Sequence, residues 1–295
     1  MRAIPPDSTR RAKAAAGRRI ALVVEGGGMR GIFSAGVLDA FAEARFDPFD
    51  LYVGVSAGAC NLSSFVAGQR GRNYRIYTRL MARPEFMRLG RFLRGGHFMD
   101  LDWLWDAFGR EDPLDVRSAA RAVRGKGFVA VCTSVATGLP RYLEPSGRDW
   151  LAILKASSSI PLIYRGFTEV DGEPLADGGV SDPLPAAEAR RRGARTIVVV
   201  RSRPAGRSKR NGMDRLAALL LLRRHPGLAR ALRRSAAAYR EAAAWLDAPP
   251  VGVEVLQIAP PETMRTGRTT RALSLLMSDY ESGLLSGRAF AASYR

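Results

Sequence analysis

Residues 20–31 read IALVVEGGGMRG, and residues 50–58 read DLYVGVSAG. Each is a short apolar run, rich in valine, that gives way to glycine and then to a helical pattern. Ile20 to Val24 is expected to be a strand, 26 to 28 a glycine loop, and Ile32 to Ala44 a helix. Asp50 to Val55 repeats the strand and Ala57 to Ala67 the helix. Further strands are read at Gly127 to Val135, Thr196 to Val200 and Val253 to Ile258. Strands separated by helices imply a mostly parallel sheet covered on both faces. The expected fold is therefore α/β, a three-layer α/β/α sandwich.

The flanks divide by composition. Residues 1–18 read as a flexible basic arm, 19–202 as the core, and 203–295 as a helical extension with one further strand, packed on the same domain. A helical insertion interrupts the core near 70–125. Its Phe86, Phe92, Phe98, Trp103, Trp105 and Phe108 suit either a lid or acyl-chain pocket, or a helical layer packed on the sheet. Residues 213–247 read as two helices split by Pro226, because proline disfavours helix at the residue before it. The stretch from Thr270 to Phe290 is helical in pattern.

The chain has 295 residues, 46% of them hydrophobic and 25% charged, which excludes disorder as the main state. There are 46 basic and 28 acidic residues, a net charge of +18, and all but four of the basic residues are arginine. The excess sits in one place: residues 190–240 carry 16 basic residues against the single acid Asp214. Within it, Leu216, Leu219, Leu220 and Leu222 lie beside Arg215, Arg223 and Arg224. Either these leucines pack on the sheet while the arginines face water, or the helix lies on an anionic bilayer. Cys60 and Cys132 do not make a disulfide framework. The apolar run after the basic N-terminus is too short for a signal peptide, and Leu216 to Leu222 is too short to span a bilayer. A cytoplasmic protein is expected, and the bilayer reading of this helix would add peripheral contact with the inner face of the membrane.

Three motifs carry chemistry. Gly26 to Gly31 matches G-x-G-x-x-G between a strand and a helix, where free N–H groups favour negative charge. That charge is a pyrophosphate in one reading and a developing oxyanion in another. Gly54-Val55-Ser56-Ala57-Gly58 matches G-x-S-x-G, the elbow that presents a serine on a sharp strand-to-helix turn. Asp177-Gly178-Gly179 is by itself a turn signal, reinforced by Asp171-Gly172 nearby.

Taken together, in this order, with the serine about 25 residues after the glycine loop and the aspartate about 120 further on, these motifs resemble the patatin-like phospholipase family. ASSSIP at 156–161 and DGGVSDPLP at 177–185 are similar to the family's bacterial members, and the segment including Tyr280 to Gly283 is similar to the extension of a bacterial subgroup. The resemblance implies a lipid acyl hydrolase, phospholipase A-like, with a Ser-Asp catalytic dyad. Ser56 would be the nucleophile and Asp177 its general base. The amides of Gly26, Gly27 and Gly28 would form the oxyanion hole, and Arg30 would add positive potential there; read without the family, Arg30 is an exposed helical arginine. The substrate implied is a lipid ester or phospholipid. No cofactor or metal is expected, and no nucleic-acid partner.

The residues support an acyl transfer on their own terms, since it needs a hydroxyl, a base and donors aimed at the oxyanion. Only His97 and His225 are available as histidine bases. His225, in RRHP, reads as a solvated helix-end residue. Glu25, beside the glycine loop, and Asp182 are rival carboxylates to Asp177. Two other readings stand beside the hydrolase. One is a dinucleotide enzyme using Gly26, Gly28 and Gly31, with Asp47 or Asp50 on the ribose. The other is a non-enzymatic nucleic-acid or membrane-binding protein that uses the basic 190–240 segment.

Overall fold

The structure is a computed structural model that describes residues 19–206 and 212–294. The expected arm at 1–18 lies outside these residues, as do Arg207, Lys209 and Arg210 of the basic segment.

Five parallel strands form the centre: β1 (Arg19–Val24), β2 (Leu51–Val55), β3 (Gly127–Ser134), β7 (Ala194–Val200) and β8 (Glu254–Ile258), in the order β3-β2-β1-β7-β8. Successive residues point to opposite faces of a sheet, and here both faces are dry. Leu22 and Val24 join Tyr52, Ala130 and Val198 on one side, and Ala21 and Val23 join Val53, Val129 and Val199 on the other. This is why β1, β2, β3 and β7 read as apolar runs with little polar alternation, whereas the edge strand β8 keeps Glu254 and Gln257 exposed. The first face is covered by α1 (Gly31–Glu43), α2 (Ala57–Val66) and α5 (Trp150–Ser157), the second by α6 (Ala186–Arg191) and α8 (Pro226–Asp247). The fold is an α/β/α sandwich with a mostly parallel sheet.

Three antiparallel strands extend it. β4 (Pro140–Leu143), which has no clear sequence signal, pairs with β3. β5 (Thr168–Val170) and β6 (Glu173–Asp177) form the hairpin that Asp171-Gly172 predicts. Val131 of β3 pairs with both Val55 and Tyr142, so β2 and β4 occupy opposite edges of β3. Cys132 pairs with both Arg141 of β4 and Asp177 of β6, so β6 shares the β2 edge. β2 thus runs out at Val131 and β6 arrives from the other direction at Cys132. The residue after β2 is Ser56, and the last residue of β6 is Asp177.

Elsewhere α3 (Leu101–Glu111) and α4 (Val116–Ala122) belong to the insertion, which builds a core of its own from Ile76, Tyr77, Phe86, Met99, Leu101 and Leu104, packed on Met29 and Ile32. It packs on the start of α1 and not directly on the sheet. α9 (Leu273–Ser293) lies along α1, pinned by Tyr280 Oη donating to Asp39 at 2.7 Å and by a cluster of Phe41, Phe46, Phe290 and Tyr294. Pro226 does split α7 (Gly212–Leu221) from α8, and it starts α8, where a missing N–H costs nothing. The reading in which the α7 leucines pack on the sheet is corrected. Ala217 and Ala218 are buried, while Leu216, Leu219 and Leu220 are 53%, 64% and 61% exposed. The helix meets the protein through Ala217, Ala218 and the partly buried Leu221, which pack with Leu228, Ala229 and Leu232 of α8. Nor is the basic segment a uniformly solvated face. Arg201 is buried, donating to Tyr239 Oη at 3.0 Å, and Arg203 also turns inward.

Candidate active site

Ser56 sits between β2 and α2 with φ 54° and ψ −126°. A residue with a Cβ held at positive φ stores about 1–3 kcal/mol of strain, so its surroundings must fix it. They do so through one hydroxyl. Ser56 N–H donates to Ser157 Oγ at 2.8 Å, and Ser157 Oγ donates to the Val131 carbonyl at 2.6 Å. The β2–β3 ladder opens at this point, and Ser157, the last residue of α5, carries the hydrogen bonding across the gap. On the far side of the turn, a Cβ on Gly58 would lie 2.3 Å from the Val24 carbonyl oxygen, so the elbow admits only glycine there.

Asp177 is held as firmly. Its N–H donates to Ser159 O at 2.9 Å, its carbonyl accepts from Thr133 Oγ1 at 2.8 Å, and its Oδ1 accepts from Gly179 N–H at 2.8 Å. Ser56 and Asp177 are 5% and 7% exposed and line one cleft of about 590 Å³.

Gly26, Gly27 and Gly28 form a wall of the same cleft. The loop abuts the elbow closely: a Cβ on Gly26 would lie 2.9 Å from Ser56 Cβ. Met29 N–H is taken by the Arg268 carbonyl at 3.1 Å and Arg30 N–H by Gly27 O at 3.3 Å, whereas the amides of Gly27 and Gly28 have no hydrogen-bond partner among the described residues. Arg30 is not the exposed helical arginine of the alternative reading. It lines the cleft, and burial, reinforced by the nearby Arg203 cation, pushes its guanidinium well below the ordinary arginine value, with the Glu25 carboxylate opposing.

The rival candidates lie elsewhere or are engaged. Glu25 Oε2 accepts from Ser202 N–H at 2.7 Å, and Oε1 is 3.5 Å from Arg203 Nε. Asp182 accepts from Tyr142 Oη at 2.7 Å, and burial raises its pKa. His97 stacks on Tyr164 and accepts from Arg165 N–H at 2.9 Å, and His225 is the N-cap residue of α8, edge-on to Phe167. Neither histidine lines the Ser56 cleft. The acids of the dinucleotide reading are at the wrong end of the sheet. Asp50 precedes β2 and accepts from Ile20 N–H at 2.9 Å, and Asp47 accepts from Tyr52 Oη. The glycine loop follows the other end of the parallel β1, so no ribose spans the two. Among the described residues no cluster of potential ligands suits a metal ion.

Residues 22–190, which carry the elbow serine, the glycine loop and the aspartate, match a family model described as Patatin-like phospholipase. The chain belongs to this family. A second family model, a domain of unknown function (DUF6363), matches residues 225–295. An uncharacterized Escherichia coli protein, YjjU, is 39% identical over 277 residues, covering 93% of this chain and 78% of its own length. Lysophospholipase NTE1 of Eremothecium gossypii is 32% identical over 200 residues, which cover 66% of this chain and only 12% of that protein. Among solved structures, VipD from Legionella pneumophila aligns over 94% of this chain and 67% of its own at a TM-score of 0.46 and 13% identity.

In this patatin-like chain the insertion also shapes the surroundings of the serine. A second, largely apolar chamber of about 550 Å³ also reaches Ser56, walled by Ile76, Met81, Phe86, Leu104, Trp105 and Phe108, with Arg72 in its lining. A third cavity of about 500 Å³, with Leu114, Leu151 and Leu154, shares Cys60, Arg72, Trp105 and Phe108 with it. Ser56 therefore stands between a polar cleft and an apolar one. Sequence reasoning missed Ser157 and Thr133, although ASSSIP had marked the segment, and it missed Arg203 and Arg268, which no motif marks.

Proposed function

We propose that this chain is a lipid acyl hydrolase in which Ser56 is the nucleophile and Asp177 the general base. The observation that carries the reading is a serine held in a left-handed elbow, in one cleft with a buried aspartate and with neither histidine of the chain. Ser56 Oγ attacks the ester carbonyl carbon, and its proton passes to the Asp177 carboxylate. The carbonyl oxygen becomes an oxyanion, received by the amides of Gly27 and Gly28 and by the positive N-terminal end of α2. Collapse of the tetrahedral intermediate breaks the bond to the alcohol oxygen, which takes the proton from Asp177 and leaves. Water then attacks the acyl-serine, giving its proton to Asp177, and Ser56 Oγ recovers it as the fatty acid departs. The apolar chamber beside Ser56 suits the acyl chain, and the lysophospholipase relatives are consistent with a single-chain ester.

The substrate surface is reached through α7. Its Leu216, Leu219 and Leu220 project outward in a helix flanked by the exposed Arg215, Arg223 and Arg224, while Asp214 at its start lines the cleft. Exposed apolar side chains flanked by arginine suit an anionic bilayer, and this supports an approach of the cleft to lipid through α7. No helix among the described residues is long and apolar enough to cross a membrane. The test of the reading is fatty-acid release from a panel of monoacyl and diacyl lipid esters by the wild-type protein and by Ser56→Ala. Release by the wild type alone is expected; release by both, or by neither, overturns it.

A further inference from the structure

The cleft has a cationic wall that the hydrolytic chemistry does not use. Arg203, just beyond β7, is 11% exposed in its side chain, stacks its guanidinium on the Tyr239 ring at 4.7 Å and sits 3.5 Å from Glu25. Arg268 reaches the site from the loop before α9. Its carbonyl holds Met29 N–H, and its side chain crosses Gly28 so closely that a Cβ there would lie 2.9 Å from Arg268 Cγ. Gly28, at φ 58°, is the residue that admits this crossing. With Arg30, whose guanidinium pKa is depressed by burial and by the charges of both, these make three arginines lining the cleft of Ser56. Nε of Arg30 is buried without a hydrogen-bond partner among the described residues, and Nε of Arg203, also without one, meets Glu25 Oε1 only as an ion pair at 3.5 Å. The carboxylates of the cleft are otherwise occupied: Glu25 holds Ser202 N–H and faces Arg203, Asp214 accepts from Ser235 Oγ at 2.6 Å, and Asp177 is the proposed base. Buried guanidiniums left with open donors are built for an oxyanion ligand, and their planar forks match phosphate.

We propose that Arg203 and Arg268, both outside the 22–190 family match, join Arg30 in an anion subsite that takes the phosphate carried by the alcohol portion of the substrate. The inference rests on the hydrolase reading above. Ser56 lines both the arginine-walled cleft and the apolar chamber, so an ester at the serine can place its acyl chain in one and its headgroup in the other. It also gives the C-terminal region a part in the site. Thr266 N–H donates to the buried Asp279 of α9 at 2.9 Å, Arg271 donates to the Met87 carbonyl, and these ties carry Arg268 to the glycine loop.

The test compares oleoyl-glycerol 3-phosphate with oleoylglycerol, the same ester without phosphate, both in neutral detergent micelles. The variants are Arg203→Gln, Arg268→Gln and the double. The ratio of kcat/KM for the anionic ester to that for the neutral one should fall about tenfold for each arginine removed, and Arg→Lys at either position should recover part of it. A second arm titrates Ser56→Ala calorimetrically with glycerol 3-phosphate and with inorganic phosphate. Glycerol 3-phosphate should bind more tightly, and the two glutamine changes should abolish its binding. An unchanged ratio in the double variant, or equal losses on both esters without lysine recovery, overturns the subsite. Equal affinity for inorganic phosphate overturns its assignment to a headgroup. Failure of the hydrolase reading looks different: neither ester is cleaved, while the calorimetric arm still reports the anion site.

Discussion

Ser157→Ala removes a single oxygen, on a residue 26 positions beyond Val131, where the β2–β3 pairing ends, yet it should disable the elbow. The hydroxyl accepts Ser56 N–H at 2.8 Å and donates to Val131 O at 2.6 Å, and Ser157 is fully buried. Alanine fits the space and leaves the Ser56 amide buried without an acceptor. An orphaned buried polar group costs about 1–3 kcal/mol, and loss of the second bond adds about 1 kcal/mol. A destabilisation of about 2–4 kcal/mol follows, measurable as a lower urea midpoint at unchanged slope. The strain at Ser56, about 1–3 kcal/mol, is of the same size, so relaxation of the elbow toward negative φ becomes competitive. Turnover of a short p-nitrophenyl ester should drop by more than the unfolded fraction explains. A variant within 0.5 kcal/mol of wild type on the scale of ordinary surface changes, with full turnover, would refute the view that this hydroxyl holds the elbow.

The other predictions concern the site and its approach to lipid. Ser56→Ala should abolish ester hydrolysis with the fold intact, checked by circular dichroism and p-nitrophenyl ester turnover. Asp177→Asn, near-isosteric but unable to take a proton, should lose about 10²- to 10⁴-fold in kcat. The double change His97→Ala, His225→Ala should remain active; loss of its turnover in a folded protein points to a triad. Anionic vesicles should co-sediment the protein at low salt and release it as salt rises, because exposed charges are screened beyond about 8 Å at physiological ionic strength. Leu219→Glu with Leu220→Glu should weaken that binding about tenfold or more, since burying one leucine is worth about 1.5–3 kcal/mol. Equal sedimentation with zwitterionic vesicles would leave α7 without an electrostatic role.

Where the fold was legible, the reason is local. β1, β2, β3 and β7 are buried on both faces, so each is an unbroken apolar run closed by glycine or by a turn, and the glycine loop and the elbow are glycine-dense because backbone meets backbone there. What stayed hidden depends on distant packing. β4 has four residues and a leading proline, and it exists only because β3 offers it a free edge. The leucines of α7 carry the spacing of a packed helix, but the buried contact is made by Ala217 and Ala218, and nothing in the local pattern announces that. Asp47 and Asp50 have the right spacing for a ribose acid, and only the direction of β2 excludes them. The site itself shows the same division. Ser56, Asp177 and the glycine loop lie in recognisable strings, whereas Ser157 is one of three consecutive serines and its role depends on α5 ending beside Val131. Arg203 and Arg268 are two of 42 arginines, distinguished only by where β7 ends and where the loop before α9 folds back.

The central claim, that Ser56 is a nucleophile served by Asp177, is tested most directly by labelling with a fluorophosphonate and mapping the adduct by peptide mass spectrometry. The reagent phosphonylates an activated serine and spares ordinary ones. The account predicts one adduct, on the peptide containing Ser56, absent in Ser56→Ala, greatly slowed in Asp177→Asn, and formed at the usual rate when both histidines are replaced. An unlabelled protein, an adduct on another residue, or labelling at full rate in Asp177→Asn would contradict it.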